Sequence, residues 1–276
     1  MAAMVAIMVA VPAAAPAIQS HGVTVPFSED AKVAAMVAML ASCGGTGAKK
    51  AAENDANTIV LFDGTSLEGW RGYNKDHVPS RWTIEDGCLK FSGSGGGEAQ
   101  TGEGGDIIYA AQKFKNFELE LEWKVSKGGN SGIFYLAQET AGPIYISAPE
   151  CQVLDNENHP DARLGVDGNR QSSSLYDMIP AKPQNSKPAG EWNKVKILCY
   201  KGTVVHYQND VPVVEYHLWT PQWTEMLQKS KFSEEKWPVA FKLLNNCGGE
   251  NHEGYIGFQD HGDDVWFRNI KVTVLE

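Results

Sequence analysis

Nowhere in its 276 residues does this chain gather positive charge. Its 24 Lys and Arg are scattered among 34 Asp and Glu, the net charge is −10, and no basic run exists that could track phosphates, which argues against nucleic acid as a partner. Long apolar runs are missing too. The two Ala, Val and Met-rich stretches, residues 1–18 and 32–41, are too short and too broken by Pro to span a bilayer. Cysteine is sparse, at 5 residues. Cys43 stands apart, while Cys88, Cys151, Cys199 and Cys247 form an even set that permits disulfides without implying them, since more than one pairing exists. Cys247 and His252 bracket a GGEN segment, but the spacing matches no zinc framework and lacks a second pair. That stretch reads as a loop, no metal ligand is assigned, and a divalent metal is possible but neither required nor indicated. The Gly-rich piece 93–105 lacks the strand-to-helix context of a nucleotide cradle and reads as a mobile loop.

What is present is β pattern. The stretch 117–136, FELELEWKVSKGGNSGIFYL, opens with Phe117, Leu119, Leu121, Trp123 and Val125 alternating with Glu118, Glu120, Glu122 and Lys124. That is the period of a half-buried antiparallel strand. The SKGGNSG turn and the apolar run 133–136 follow at hairpin distance, so the spacing predicts a β-hairpin at the heart of the domain. Further short strands are expected at 58–62, 82–85, 88–92, 106–109, 150–154, 192–200, 203–207, 211–216, 255–259 and 265–275, separated by Gly, Asn, Asp and Pro. Many short strands with turn signals predict an all-β fold of two packed antiparallel sheets, a sandwich or jelly roll. One segment breaks the rhythm. Residues 220–232 place Pro behind a Thr cap, with Trp223, Met226 and Leu227 at helical spacing, which predicts one short inserted helix.

The N-terminal region is different in kind. Each apolar stretch resembles the core of an export signal, and the second ends in Leu40-Ala41-Ser42-Cys43 before two glycines, which looks like the lipobox of bacterial lipoproteins. On this reading residues 1–43 are an export-signal and lipobox region, Cys43 takes the lipid, 44–57 is a flexible linker and 58–276 is the working domain. The chain is then lipid-anchored in the bacterial cell envelope, periplasmic or outer-membrane, with the anchor as its only membrane contact.

Several separated blocks recur in one order: residues 61–70, LFDGTSLEGW; Trp82 with Asp86-Gly87; residues 117–123; Asn130-Ser131-Gly132-Ile133-Phe134; Gln152-Val153-Leu154-Asp155-Asn156; Gly190-Glu191-Trp192-Asn193; Gly257-Phe258-Gln259-Asp260-His261-Gly262; and Phe267-Arg268-Asn269-Ile270. Together they resemble the 3-keto-disaccharide hydrolase family over roughly residues 58 to 276. The resemblance implies a concanavalin-like jelly roll, export to the envelope, cleavage of glycosides whose sugar is oxidised at C3, and an upstream sugar 3-oxidoreductase as a functional partner.

A ketone at C3 acidifies the C2 hydrogen, because the carbanion delocalises as an enolate, and places the group at C1 for elimination. Such chemistry needs a base for C2, a donor for the enolate oxygen and an acid for the leaving oxygen. Two-carboxylate hydrolysis is the competing route. Glu150 and Gln152 are two apart and share a face, Asp155 and Asn156 end that strand, and His261 sits between strands beside Gln259 and Asp260. We assign proton transfer to His261, with Glu150 or Asp155 as its partner or as the base. Glu122, Asn130 and Gln152 are assigned to substrate hydroxyls, with Gln259 and Asp260 beside them. Tyr176 and Arg170 either cover the sugar or pack their own loop. The alternative from a different class is a noncatalytic, lectin-like carbohydrate-binding module, since the same sandwich binds sugar without cutting it.

Overall fold

A computed structural model of the chain describes residues 57–93 and 104–276. The 1–43 region with Cys43, nearly all of the 44–57 linker and most of the 93–105 loop therefore lie outside the described residues. The order is β1 (Thr58–Phe62), β2 (Trp70–Gly72), β3 (Trp82–Glu85), β4 (Cys88–Phe91), β5 (Ile107–Phe114), β6 (Phe117–Val125), β7 (Asn130–Ala137), β8 (Glu150–Leu154), β9 (Asn193–Tyr200), β10 (Thr203–Gln208), β11 (Val211–His217), helices α1 (Pro221–Lys229) and α2 (Pro238–Asn245), then β12 (Gly254–Phe258) and β13 (Val265–Val274). The strands form two antiparallel sheets, as the patterning predicts. One runs β11-β10-β9-β6-β13-β4-β3, with β1 also on β13, and the other runs β2-β5-β12-β7-β8.

β6 is the spine of the larger sheet. Its odd residues, from Phe117 through Trp123 to Val125, are buried between the sheets, while its Glu and Lys residues look outward. The expected hairpin does not form. β6 pairs with β9 and β13, whereas β7 pairs with β12 and β8 in the other sheet. The SKGG turn is a corner between sheets. Ser126 N–H donates to Asp264 O (3.0 Å), Gly128 takes a positive φ of 71°, and Asp155 N–H donates to Gly129 O (3.0 Å). β7 also lacks the solvent-facing alternation of β6, being buried at every residue. Its outer side is covered through a second small cluster in which Phe134 and Ala137 join Ile144 and Ala148. A strand covered on both faces belongs inside a sheet rather than at the end of an exposed hairpin.

The inserted helix is a pair. In α1, Thr220 Oγ1 accepts Trp223 N–H (3.2 Å) behind Pro221, the predicted cap. Trp223 Nε1–H then donates to Leu244 O (3.0 Å), tying α1 to the unexpected α2. That helix buries only Ala240 and Leu244, one turn apart, and has no side-chain cap, so its short apolar sequence carried little helical signal. Cys88, Cys151, Cys199 and Cys247 are buried free thiols. His252 stacks on Trp219 at 3.7 Å, in keeping with a structural loop after Cys247.

Candidate active site

The β7–β8 pairing sets Gly132 opposite Gln152 and Phe134 opposite Glu150. Glu150 and Gln152, two residues apart on one strand, project to the same side. A Cβ on Gly132 would collide with the Glu150 carboxyl, so glycine there leaves that carboxyl its place. The chain just past the end of β12 runs alongside, with Gln259 N–H donating to Gly132 O (3.0 Å) and Ser131 Oγ donating to Gln259 O (2.8 Å). These pairings open a cavity of about 70 Å3 lined by Asn130, Tyr145, Glu150, Gln152, Tyr176, Lys231, Gln259 and His261.

The lining is almost wholly polar, and its groups are differently tuned. Asn130 is 3% exposed and its Oδ1 is buried without a hydrogen bond, an acceptor oriented by a backbone N–H that donates to Asp263 Oδ2 (3.1 Å). Burial, then His159, holds the His261 pKa below the ordinary histidine value, so the imidazole is neutral at pH 7. His159 meets His261 edge to face, ring centroids 5.8 Å apart. Asp263 stands by the same ring, and burial raises its own pKa. Donor atoms of His159, His261 and Asp263 all lie within 4.8 Å of one another, a spread that a divalent ion could bridge. Tyr176 Oη–H donates to Asp161 Oδ2 (3.0 Å), and burial, then Glu150, raises its pKa.

The sequence-derived candidates divide here. Asn130, Glu150, Gln152, Tyr176, Gln259 and His261 line one cavity. Glu122 does not. It sits on the outer face of the larger sheet, where its carboxylate accepts Arg268 Nε–H (2.8 Å) and Asn269 Nδ2–H (3.2 Å). Asp155 is outside the lining as well, its carboxylate accepting Gly128 N–H (2.7 Å), Asn158 Nδ2–H (2.7 Å) and Glu157 N–H (3.1 Å). Burial would raise its pKa, but those donors outweigh burial and hold it low. Asp260 accepts from Gly105 N–H (2.8 Å) and Gly262 N–H (2.9 Å), pinning loops together. Arg170 backs Tyr176, bridging Asp161 (2.9 Å) and Asp177 (2.7 Å).

Four contributors were not singled out from sequence. His159 lies in a polar NHPDAR loop and Asp263 two residues past His261, both with the look of turn residues. Tyr145 comes from the 3-10 turn Ile144–Ile146 and is backed by Trp237, ring centroids 6.0 Å apart. Lys231 follows α1, where a lone Lys after an amphipathic helix gives no signal of facing inward.

Comparison with known proteins places the chain in a family. Residues 57–273 match the model of a family described as 3-keto-alpha-glucoside-1,2-lyase-like domain. A protein of Bacteroides thetaiotaomicron named 3-keto-disaccharide hydrolase is 74% identical over 228 residues, 79% of this chain and 78% of that one. Two solved structures of candidate glycosyl hydrolases from Parabacteroides distasonis are each 26% identical to the chain. One superposes with a TM-score of 0.66 over 80% of this chain and 94% of its own, the other with 0.56 over 79% and 99%.

Proposed function

The chain belongs to the family of 3-keto-alpha-glucoside-1,2-lyase-like domains, and on that footing we infer that its cavity cleaves glycosides whose sugar carries a ketone at C3, with His261 moving the proton. The observation that carries the assignment is the meeting of a neutral, half-buried imidazole with the Glu150 carboxyl in one polar cavity. His261 takes the proton from C2. The electron pair delocalises onto the C3 oxygen as an enolate, then returns to re-form the ketone while C1=C2 forms and the C1–O bond breaks. His261 then passes that proton to the leaving oxygen, and the ionised Glu150 in the same cavity balances the imidazolium charge. Asn130 Oδ1, which has no intramolecular donor, and the amides of Gln152 and Gln259 take sugar hydroxyls. Asp155, Asp260 and Arg170 support the surrounding loops, and Glu122 the outer sheet face. A divalent ion, if bound, would find donors in His159, His261 and Asp263 and would supply a positive charge beside the reacting sugar in place of the base role of His261.

The substrate implies its supplier, an oxidoreductase that converts the C3 hydroxyl of a glucoside or disaccharide to a ketone. We further propose that Cys43 carries a lipid and holds the domain in the cell envelope, supported by Leu40-Ala41-Ser42-Cys43 at the end of an apolar stretch. Cys43→Ala should move the protein from the membrane to the soluble fraction. The chemical route is tested in deuterium oxide. Deuterium at C2 of recovered ketone substrate supports proton abstraction there, and cleavage without it contradicts the eliminative route.

A further inference from the structure

A sugar oxidised at C3 differs from its parent at one oxygen. A hydroxyl both donates and accepts, whereas a carbonyl or enolate oxygen only accepts, so a site that prefers the ketone needs a donor at that point. Most of the lining offers acceptors or amides of mixed character, and among the described residues Lys231 is the one Lys or Arg that lines the cavity.

Its position is built. The Lys231 backbone N–H donates to Asp177 Oδ2 (2.7 Å), and Asp177 Oδ1 accepts Arg170 Nε–H (2.7 Å), so the main chain is anchored to the loop that carries Tyr176. The ammonium lies 4.3 Å from the Tyr176 ring centroid, 5.0 Å from that of Phe232 and 5.4 Å from that of Tyr145. Aromatic faces hold a cation without consuming its N–H donors in conventional hydrogen bonds. Burial lowers the Lys231 pKa and Glu150 opposes that shift, so the charged form is held chiefly by the carboxylate it faces. The group is a caged cation at the wall of the cavity that also holds His261.

We propose that Lys231 receives the C3 oxygen of the bound sugar, donating a hydrogen bond to the ketone and a stronger, charge-assisted one to the enolate formed when His261 removes the C2 proton. This rests on the reading of the cavity given above. Lys231 thereby makes the oxidised sugar the preferred substrate. The proton passes from C2 to His261, the negative charge rests on the C3 oxygen beside the ammonium, and expulsion of the C1 substituent returns that electron pair to the ring.

The test uses Lys231→Met and Lys231→Arg in the whole domain, with a 3-keto glucoside and its unoxidised parent as probes. Loss of a preorganised donor to a developing oxyanion lowers turnover by about two to three orders of magnitude. We expect Lys231→Met to lose that much in kcat and in C2 deuterium exchange, while binding of the unoxidised parent stays within about threefold. Lys231→Arg keeps charge and donors and should recover part of the exchange rate. Wild-type exchange in Lys231→Met overturns the proposal. So does an equal loss of affinity for both glucosides, which marks a packing role. Sodium cyanoborohydride fixing the sugar on Lys231 of the wild type would overturn it in favour of a covalent iminium. Wild-type protein that cleaves neither glucoside would instead defeat the underlying reading.

Discussion

The Glu150 carboxyl occupies the volume that a Cβ at Gly132 would need, across the β7–β8 pair. The glycine's backbone is ordinary, so alanine meets a purely steric obstacle there. Gly132→Ala should push the carboxyl out of register and reduce turnover at least tenfold, at a stability cost of about 1–3 kcal/mol from overpacking. Kinetics with a parallel urea melt check this, and unchanged turnover would show that the Glu150 position is immaterial.

His261 is surrounded by groups of opposite influence. As a base it works neutral, so activity should fall as pH drops through its folded pKa, which lies below the usual 6.5. His159→Ala removes a repelling neighbour and should move this acid limb to higher pH. Asp263→Asn removes an attracting one and should move it lower. Shifts in opposite directions in pH–rate profiles identify His261 as the titrating group, and identical profiles would assign the limb elsewhere.

A buried chain of polar groups links the two sheets. Ser173 O accepts from His206 Nδ1–H (2.9 Å), so His206 Nε2 accepts from the Tyr135 hydroxyl (2.7 Å), which in turn accepts from Tyr216. Burial lowers the His206 pKa to about 4. The unfolded chain therefore binds a proton that the native state refuses, and this stabilisation, full above about pH 6.5, is lost as pH falls towards 4. The loss amounts to roughly 3 kcal/mol. Urea melts at pH 7 and 4.5 measure it, and His206→Phe should flatten the dependence over that interval.

Asp155 separates support from chemistry. Its carboxylate accepts four N–H groups that close the corner after β8 and the SKGG turn. Asp155→Ala should cost about 2–4 kcal/mol through unsatisfied donors, with kcat of the remaining folded protein within a few-fold of wild type. A kcat loss of a thousandfold in well-folded protein would return Asp155 to the chemistry.

Strand existence was readable because period 2 states which residues share a face. β6 shows this residue by residue. Period 2 does not state which strand lies alongside, and so the β6–β7 corner resembled a hairpin until the pairings were seen. The same limit applies to the cavity. Glu150 and Gln152 are neighbours by strand geometry alone, and Asn130, Gln259 and His261 adjoin turn signals. Lys231 follows α1, which is tied to α2 through Trp223 and Leu244, and Tyr145 is backed by Trp237, long-range contacts with no local pattern. Glu122 showed the converse error, since lying on the polar face next to a Gly turn is equally the signature of an outward carboxylate paired with Arg268.

The most direct measurement is aglycone release by the wild-type domain and by His261→Ala, each given a 3-keto glucoside and the same glucoside unoxidised. We expect wild type to cleave the ketone alone, and His261→Ala to bind it but release at least about a hundredfold less. Equal cleavage of both glucosides by wild type, or full activity in His261→Ala, would contradict keto-dependent proton transfer by this histidine.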